Sequence, residues 1–171
     1  MSEDAQAILL LSGHLGGDRQ FEPLTLGEYN RVARWLRTAQ LRPADLLDPQ
    51  HTPILASETG LAEPRLRSLL DRGMQLALAV ERWNQAGLWV VGRGDADYPG
   101  RCKLHLGEQA PPLLFGAGHR SLLSGGGLAI VGSRDVDEES RAFAREVGAR
   151  CARGGVPVVS GGARGIDAPT R

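Results

Sequence analysis

Two short segments of this 171-residue chain bring together residue types that bind anions. The first is Gly132-Ser133-Arg134, and the second is Ser160-Gly161-Gly162-Ala163-Arg164-Gly165-Ile166-Asp167. Glycines let a backbone approach an anion closely and turn its amides inward. Arginine presents a fork of donors that matches two phosphate oxygens. Neither segment continues into the Gly-Lys-Ser/Thr of a P-loop, and neither is a GxGxxG fingerprint in a first βα turn. The residues support an anion or nucleotide-phosphate site. The opposing reading is that the glycines only make tight turns and the arginines are solvated.

The elements that must position these segments form one pattern. Leu128-Ala129-Ile130-Val131 is a continuous apolar run, as in a strand buried on both faces of a parallel sheet. Asp135 is a helix N-cap in this reading, and Asp137, Glu138 and Glu139 fall in the first turn, where the helix dipole favours negative charge. Phe143, Val147 and Cys151 recur at four-residue spacing and define one apolar face. Arg150 and Arg153 occupy the last turn, and Gly154-Gly155 stops the helix. Val156-Pro157-Val158-Val159 is a second strand, with proline near its start where a missing amide is tolerated. Strand, helix and strand predict a right-handed βαβ unit with strands near 128–132 and 156–160. Parallel strands end on one edge, so the two glycine-containing segments face one crevice, where open α/β sheets bind ligands. A helix beginning after Gly165 would add its N-terminal amides to that crevice.

The preceding sequence reads as helices and short strands. Ser2 caps a helix through Leu11. Thr25 and Glu28 have capping-box spacing ahead of Tyr29, Val32, Ala33 and Leu36, predicting a helix to about Ala39. Pro43 opens a short turn through Leu47. Ser57, Ala62, Leu66, Leu69 and Leu70 suggest another helix, ended by Gly73, and Leu76 to Ala86 one more, with Gly87 at C′. Leu88-Trp89-Val90-Val91 and Leu113-Leu114-Phe115 read as short strands, with a turn over Asp95 to Pro99. The change in character near residue 87 divides the chain into a helical domain, 1–86, and an α/β domain, 87–171. The helical part is a small bundle by composition; a DNA-binding or oligomerisation module is the alternative, but it shows no basic stripe.

Composition limits the function classes. The chain has equal numbers of basic and acidic residues, so no global charge argues for a polyanion partner. Positions 1–90 hold nine basic and eleven acidic residues, and positions 91–171 the reverse excess. Cys102 and Cys151 have no CxxC or Cys/His companions, so neither a zinc site nor a disulfide framework is suggested. His14, His51, His105 and His119 are scattered and form no triad or metal set, so no metal, cofactor or catalytic group is assigned. Trp35, Trp83 and Trp89 read as core rather than base-stacking platforms. The acidic start, Met1-Ser2-Glu3-Asp4, lacks the positive region of a signal peptide, and the reading is a soluble, cytoplasmic protein without a membrane partner.

Ile130-Val131-Gly132-Ser133-Arg134, a helix, then Val158-Val159-Ser160-Gly161-Gly162-Ala163-Arg164-Gly165-Ile166-Asp167 resembles the paired signature of the DprA/Smf family of DNA-processing proteins. The approach is similar too, with Asp97-Tyr98-Pro99, Ala110-Pro111-Pro112-Leu113-Leu114-Phe115 and Gly118 in order. The resemblance implies an α/β fold in which a small helical domain precedes an incomplete Rossmann-like parallel βαβ domain. It implies binding of single-stranded DNA in natural transformation, loading of the RecA recombinase, a homodimer in the intact family, and no enzymatic step. It places Gly132, Ser133, Arg134, Ser160, Gly161, Gly162, Arg164 and Gly165 at the DNA-phosphate pocket. Asp167 is expected to fix the second loop, because a carboxylate repels phosphate. Family members continue well beyond this point, so the chain is expected to be an interrupted or completed-in-trans piece, poorly stable alone. The rival classes are a nucleotide hydrolase, for which no PGGxGT-type loop with its glutamate is present, a regulatory nucleotide-binding module, and a non-functional fragment.

Overall fold

The computed structural model describes residues 1–16 and 22–162. It is of mixed α/β class and divides into two compact units, Met1–Arg120 and Ser121–Arg171. The first unit contains the helices α1 (Glu3–Ser12), α2 (Leu26–Thr38), α3 (His51–Thr59), α4 (Glu63–Leu70), α5 (Gly73–Gln85) and α6 (Gly100–Leu106), with strands β1 (Leu88–Gly92) and β2 (Leu113–Ala117). Short 3-10 turns cover Pro43–Leu47 and Gly107–Gln109. The second unit contains β3 (Leu128–Ala129), α7 (Glu138–Arg153) and β4 (Val158–Val159).

α1 is the centre of the first unit, and its sequence explains why. Ser2 caps it, accepting from the Ala5 amide, as expected. Ala5 and the run Ala7 to Leu11 are all buried, so the helix is apolar on every side and must be surrounded. Ile8 and Leu11 join one cluster with Val32, Leu36, Leu55 and Leu66, while Leu9 and Leu10 join a second with Leu76, Ala79 and Val90. β1 lies directly on α1 at Gly92, where a Cβ would stand 2.9 Å from Ile8 Cδ1 and 3.1 Å from Ala5 Cα. β1 and β2 pair antiparallel, from Leu88 opposite Ala117 to Gly92 opposite Leu113. Asp4 is the polar exception on α1. Its carboxylate accepts from Arg42 Nη2 at 3.0 Å and from the Ala44 amide at 3.0 Å, which ties the Pro43–Leu47 turn to the helix.

Two sequence expectations need correction in this unit. The single helix expected to end at Gly73 is two, α3 and α4, broken at Gly60. Gly60 adopts φ +66°, a left-handed conformation that a glycine takes without steric cost. α6 was not anticipated; it follows Pro99, whose ring pre-sets the φ of a helix entry.

The capping box of α2 forms as the spacing predicts, with Thr25 and Glu28 each accepting from the other's backbone amide. Glu28 also takes two hydrogen bonds from Arg65 on α4, at 2.6 and 3.0 Å. Arg65 is the main cause that holds the Glu28 carboxyl near a pKa of about 2, with the Thr25 amide adding to it against the opposing effect of burial. A carboxyl depressed in the folded state stabilises above its unfolded pKa, near 4.3, and that stability is lost as pH falls toward 2. Glu28→Gln is therefore expected to lower unfolding free energy by about 1 kcal/mol at neutral pH, with the gap closing at acid pH. Urea unfolding at pH 7 and pH 3 checks this, and a gap that does not change with pH contradicts it.

In the second unit β3 and β4 pair parallel, Leu128 opposite Val158 and Ala129 opposite Val159. The Leu128 amide donates to the Pro157 carbonyl and the Ile130 amide to the Val159 carbonyl, both at 2.9 Å. The βαβ unit expected from the sequence is thus formed, with α7 as its crossover. Gly127 permits the approach, since a Cβ there would lie 2.6 Å from the Pro157 oxygen. The helix start differs from the expectation: Asp137, not Asp135, is the N-cap, because its carboxylate accepts from the Ser140 amide at 2.7 Å. The buried positions on α7 are Ala144 and Cys151, and Val147 is half-buried, so Cys151 and Val147 lie on the covered face as expected, whereas Phe143 is 72% exposed and Ala144 takes its place.

Candidate phosphate-binding crevice

The loops after β3 and β4 leave the same edge of the parallel pair, which brings Gly132-Ser133-Arg134 and Ser160-Gly161-Gly162 to one end of the second unit. Gly132, Ser133, Arg134 and Gly161 are exposed, and Ser160 and Gly162 are half-buried. Arg164, Gly165 and Asp167 of the same sequence motif lie outside the described residues, as does the helix expected after Gly165.

Each serine shapes its own loop. Ser133 Oγ accepts from the Asp135 amide at 3.1 Å, and Ser160 Oγ accepts from the Gly162 amide at 3.2 Å. The two hydroxyls make the same local turn, and each keeps its own O–H to donate. Gly162 has φ +68°, so the second loop turns through a left-handed residue just past its serine.

The charges separate into paired and unpaired ones. On α7, Arg145 pairs with Glu138 at 3.2 Å, and Arg150 and Arg153 pair with Glu146 at 2.8 and 3.6 Å. Arg134 makes no ion pair or hydrogen bond with the described residues. It is an exposed cation between two glycine-containing turns. The N-terminus of α7 is already satisfied: Asp137 caps it, and the hydrogen bond from the Ser140 amide holds the Asp137 carboxyl below its usual range. Asp137, Glu138 and Glu139 together keep a second anion off that helix end.

Arg141 was not singled out by the sequence. From the first turns of α7 its Nη2 donates to the Val136 carbonyl at 3.5 Å, and its Nε has no partner among the described residues. It steadies the segment between Arg134 and the helix. No sequence signal distinguishes it from the other arginines of α7. The tryptophans belong to the first unit. Trp83 meets Phe115 edge-on at 5.2 Å, and Trp89 Nε1 donates to the Gly118 carbonyl at 2.9 Å, which suits packing rather than base stacking.

Among the described residues no three His, Cys, Asp or Glu side chains gather as a metal site, and no helix is long and apolar enough to cross a membrane. A family model described as DNA recombination-mediator protein A matches residues 89–170, from β1 through the second glycine-containing segment. No curated protein and no solved structure matches the chain.

Proposed function

We propose that this chain, whose residues 89–170 belong to the DNA recombination-mediator protein A family, binds the phosphates of single-stranded DNA in the crevice after β3 and β4. Its role in DNA recombination is then to hold strands, without a chemical step. The carrying observation is the parallel β3–β4 pair, which sends two glycine-containing turns and an arginine without a partner among the described residues to one edge. Glycine backbone and an arginine fork suit a phosphodiester, whose charge is fixed and whose oxygens accept several donors at once. Single-stranded binding, a part in natural transformation and delivery of strands to the RecA recombinase are what the family resemblance adds to this reading. A soluble cytoplasmic protein, dimeric when acting, fits that role.

Arg134→Ala tests the crevice. One charged hydrogen bond is worth on the order of 1.5–3 kcal/mol, so affinity for a labelled oligo-dT should fall roughly ten- to a hundredfold. The log–log salt slope should become shallower by about 0.7, the share of one neutralised phosphate on a single strand. The effect should be alike on different sequences, because phosphates carry no base identity. Fluorescence anisotropy at several salt concentrations, with circular dichroism as the folding control, gives the result. Unchanged binding by Arg134→Ala rules the crevice out. Hydrolysis of AMP-like nucleotides, or preference for a mononucleotide over oligo-dT, favours the nucleotide-enzyme or nucleotide-module class instead.

A further inference from the structure

The first unit holds a cationic cleft that no sequence motif marks. Arg34 and Arg37 on α2, Arg93 just after β1 and Lys103 on α6 line a cavity of about 650 Å³, together with Asn30 and Glu108. Four cations face one carboxylate there. That carboxylate, Glu108, is exposed and reaches only Arg34, at 4.0 Å.

Arg93 is the built part of the cleft. It is half-buried, its Nη2 donates to Asn30 Oδ1 at 2.7 Å, and its Nη1 donates to the Ala110 carbonyl at 2.9 Å. Its guanidinium lies over the Tyr29 ring, 5.0 Å from the centroid. Asn30 is itself buried and held by donating to the Glu108 carbonyl at 2.8 Å. Arg93 is thus fixed by neutral acceptors and an aromatic face, without a carboxylate partner among the described residues. Two of its five N–H groups are used and the rest remain to donate. Arg37 makes no side-chain hydrogen bond or ion pair with the described residues. Lys103 is exposed, and its ammonium lies over the Tyr98 ring, 5.3 Å from the centroid. Holding four like charges against one exposed carboxylate disfavours the folded state, and a bound polyanion relieves it.

We propose that the cleft of Arg34, Arg37, Arg93 and Lys103 is a second phosphate-binding site, which holds the backbone of a nucleic-acid strand. The site is built from residues of the first unit alone and takes only its ligand class from the reading above. A strand suits it better than a free phosphate: the cations come from three elements, and Arg37 and Lys103 are long, exposed and spread, as successive phosphates require.

The test uses the full chain with both charges neutralised, Arg37→Gln with Lys103→Gln, which keeps polar side chains at both positions and removes no side-chain hydrogen bond to the described residues. Oligo-dT affinity at low salt should fall roughly ten- to a hundredfold, and the salt slope should become shallower by about 1.4, the share of two neutralised phosphates. Glu108→Gln should shift affinity the other way, because it removes the one repelling carboxylate. Inorganic phosphate and dTMP should displace the oligonucleotide only at far higher concentration than unlabelled oligo-dT does. Parental binding and slope in the double variant overturn the cleft, and weaker binding by Arg134→Ala beside it leaves the crevice standing. Weaker binding by the double variant with Arg134→Ala unchanged keeps the cleft and removes the crevice. Displacement by dTMP as effective as by oligo-dT overturns the strand path, and absence of binding by the unsubstituted chain overturns both sites.

Discussion

Amide hydrogens in the middle of α1 are expected to exchange with solvent at least about a thousandfold more slowly than those of α7. Both helices are well capped, so the difference lies in what covers them. α1 buries seven of its ten residues and sits between two apolar clusters. Opening it exposes Ile8, Leu9 and Leu11, each at most 1% exposed, at roughly 1.5–3 kcal/mol per side chain. α7 buries only Ala144 and Cys151 of its sixteen residues, and its hydrogen-bonded turns face solvent along most of their length. Around it Val131, Phe143 and Val159 are 81%, 72% and 60% exposed, so little apolar area resists opening. Hydrogen exchange of the full chain read by mass spectrometry checks this. Comparable protection of the two helices would mean that α7 is covered in solution by something beyond the described residues.

What could be read in the sequence was local or periodic. Ser2, Thr25 with Glu28, and Gly87 act within one helical turn, so residue type alone announces them. The β3–β4 pair was legible because two apolar runs flank one amphipathic stretch, and a helical crossover of that length is what parallel strands require. The start of α7 was misplaced by two residues because Asp135 and Asp137 are equally good caps on paper. Only the Ser140 amide decides between them. The break at Gly60 was hidden inside a run whose apolar spacing continues across it. The cleft was hidden more deeply. Its cations lie at positions 34, 37, 93 and 103, and the balance of residues 1–90 is slightly acidic. Folding concentrates positive charge by sending the acids elsewhere: Asp4 to Arg42 and Glu28 to Arg65. Net charge over a segment carries no information about such sorting. The sequence placed the ends of β3 and β4 on one edge, which their parallel pairing gives, while the lack of a partner for Arg134 among the described residues is visible only once the ion pairs of its neighbours are.

Arg72→Met is expected to destabilise the first unit by about 3 kcal/mol. Arg72 closes the C-terminal end of α1 from outside: Nη2 donates to the Leu10 carbonyl and, at 3.2 Å, to the Gly13 carbonyl. Its Nε donates to the Leu69 carbonyl at 3.2 Å, near the end of α4. The last carbonyls of a helix lack partners within it and carry the negative end of its dipole, so a cation there satisfies both needs. The guanidinium is half-buried with no carboxylate partner among the described residues, and burial pushes its pKa below the usual arginine range. Its charge is therefore held by carbonyl dipoles. Methionine fills similar space but leaves these oxygens facing an apolar side chain, and each loses a charge-assisted bond. Arg72→Lys should recover less than half of that stability, because one ammonium cannot span carbonyls on α1 and α4 as the planar fork does. Urea unfolding followed by far-ultraviolet circular dichroism measures both variants. A loss below about 1 kcal/mol for methionine, or full recovery by lysine, would show that α1 is held by its apolar packing alone and that the Arg72 bonds contribute nothing net.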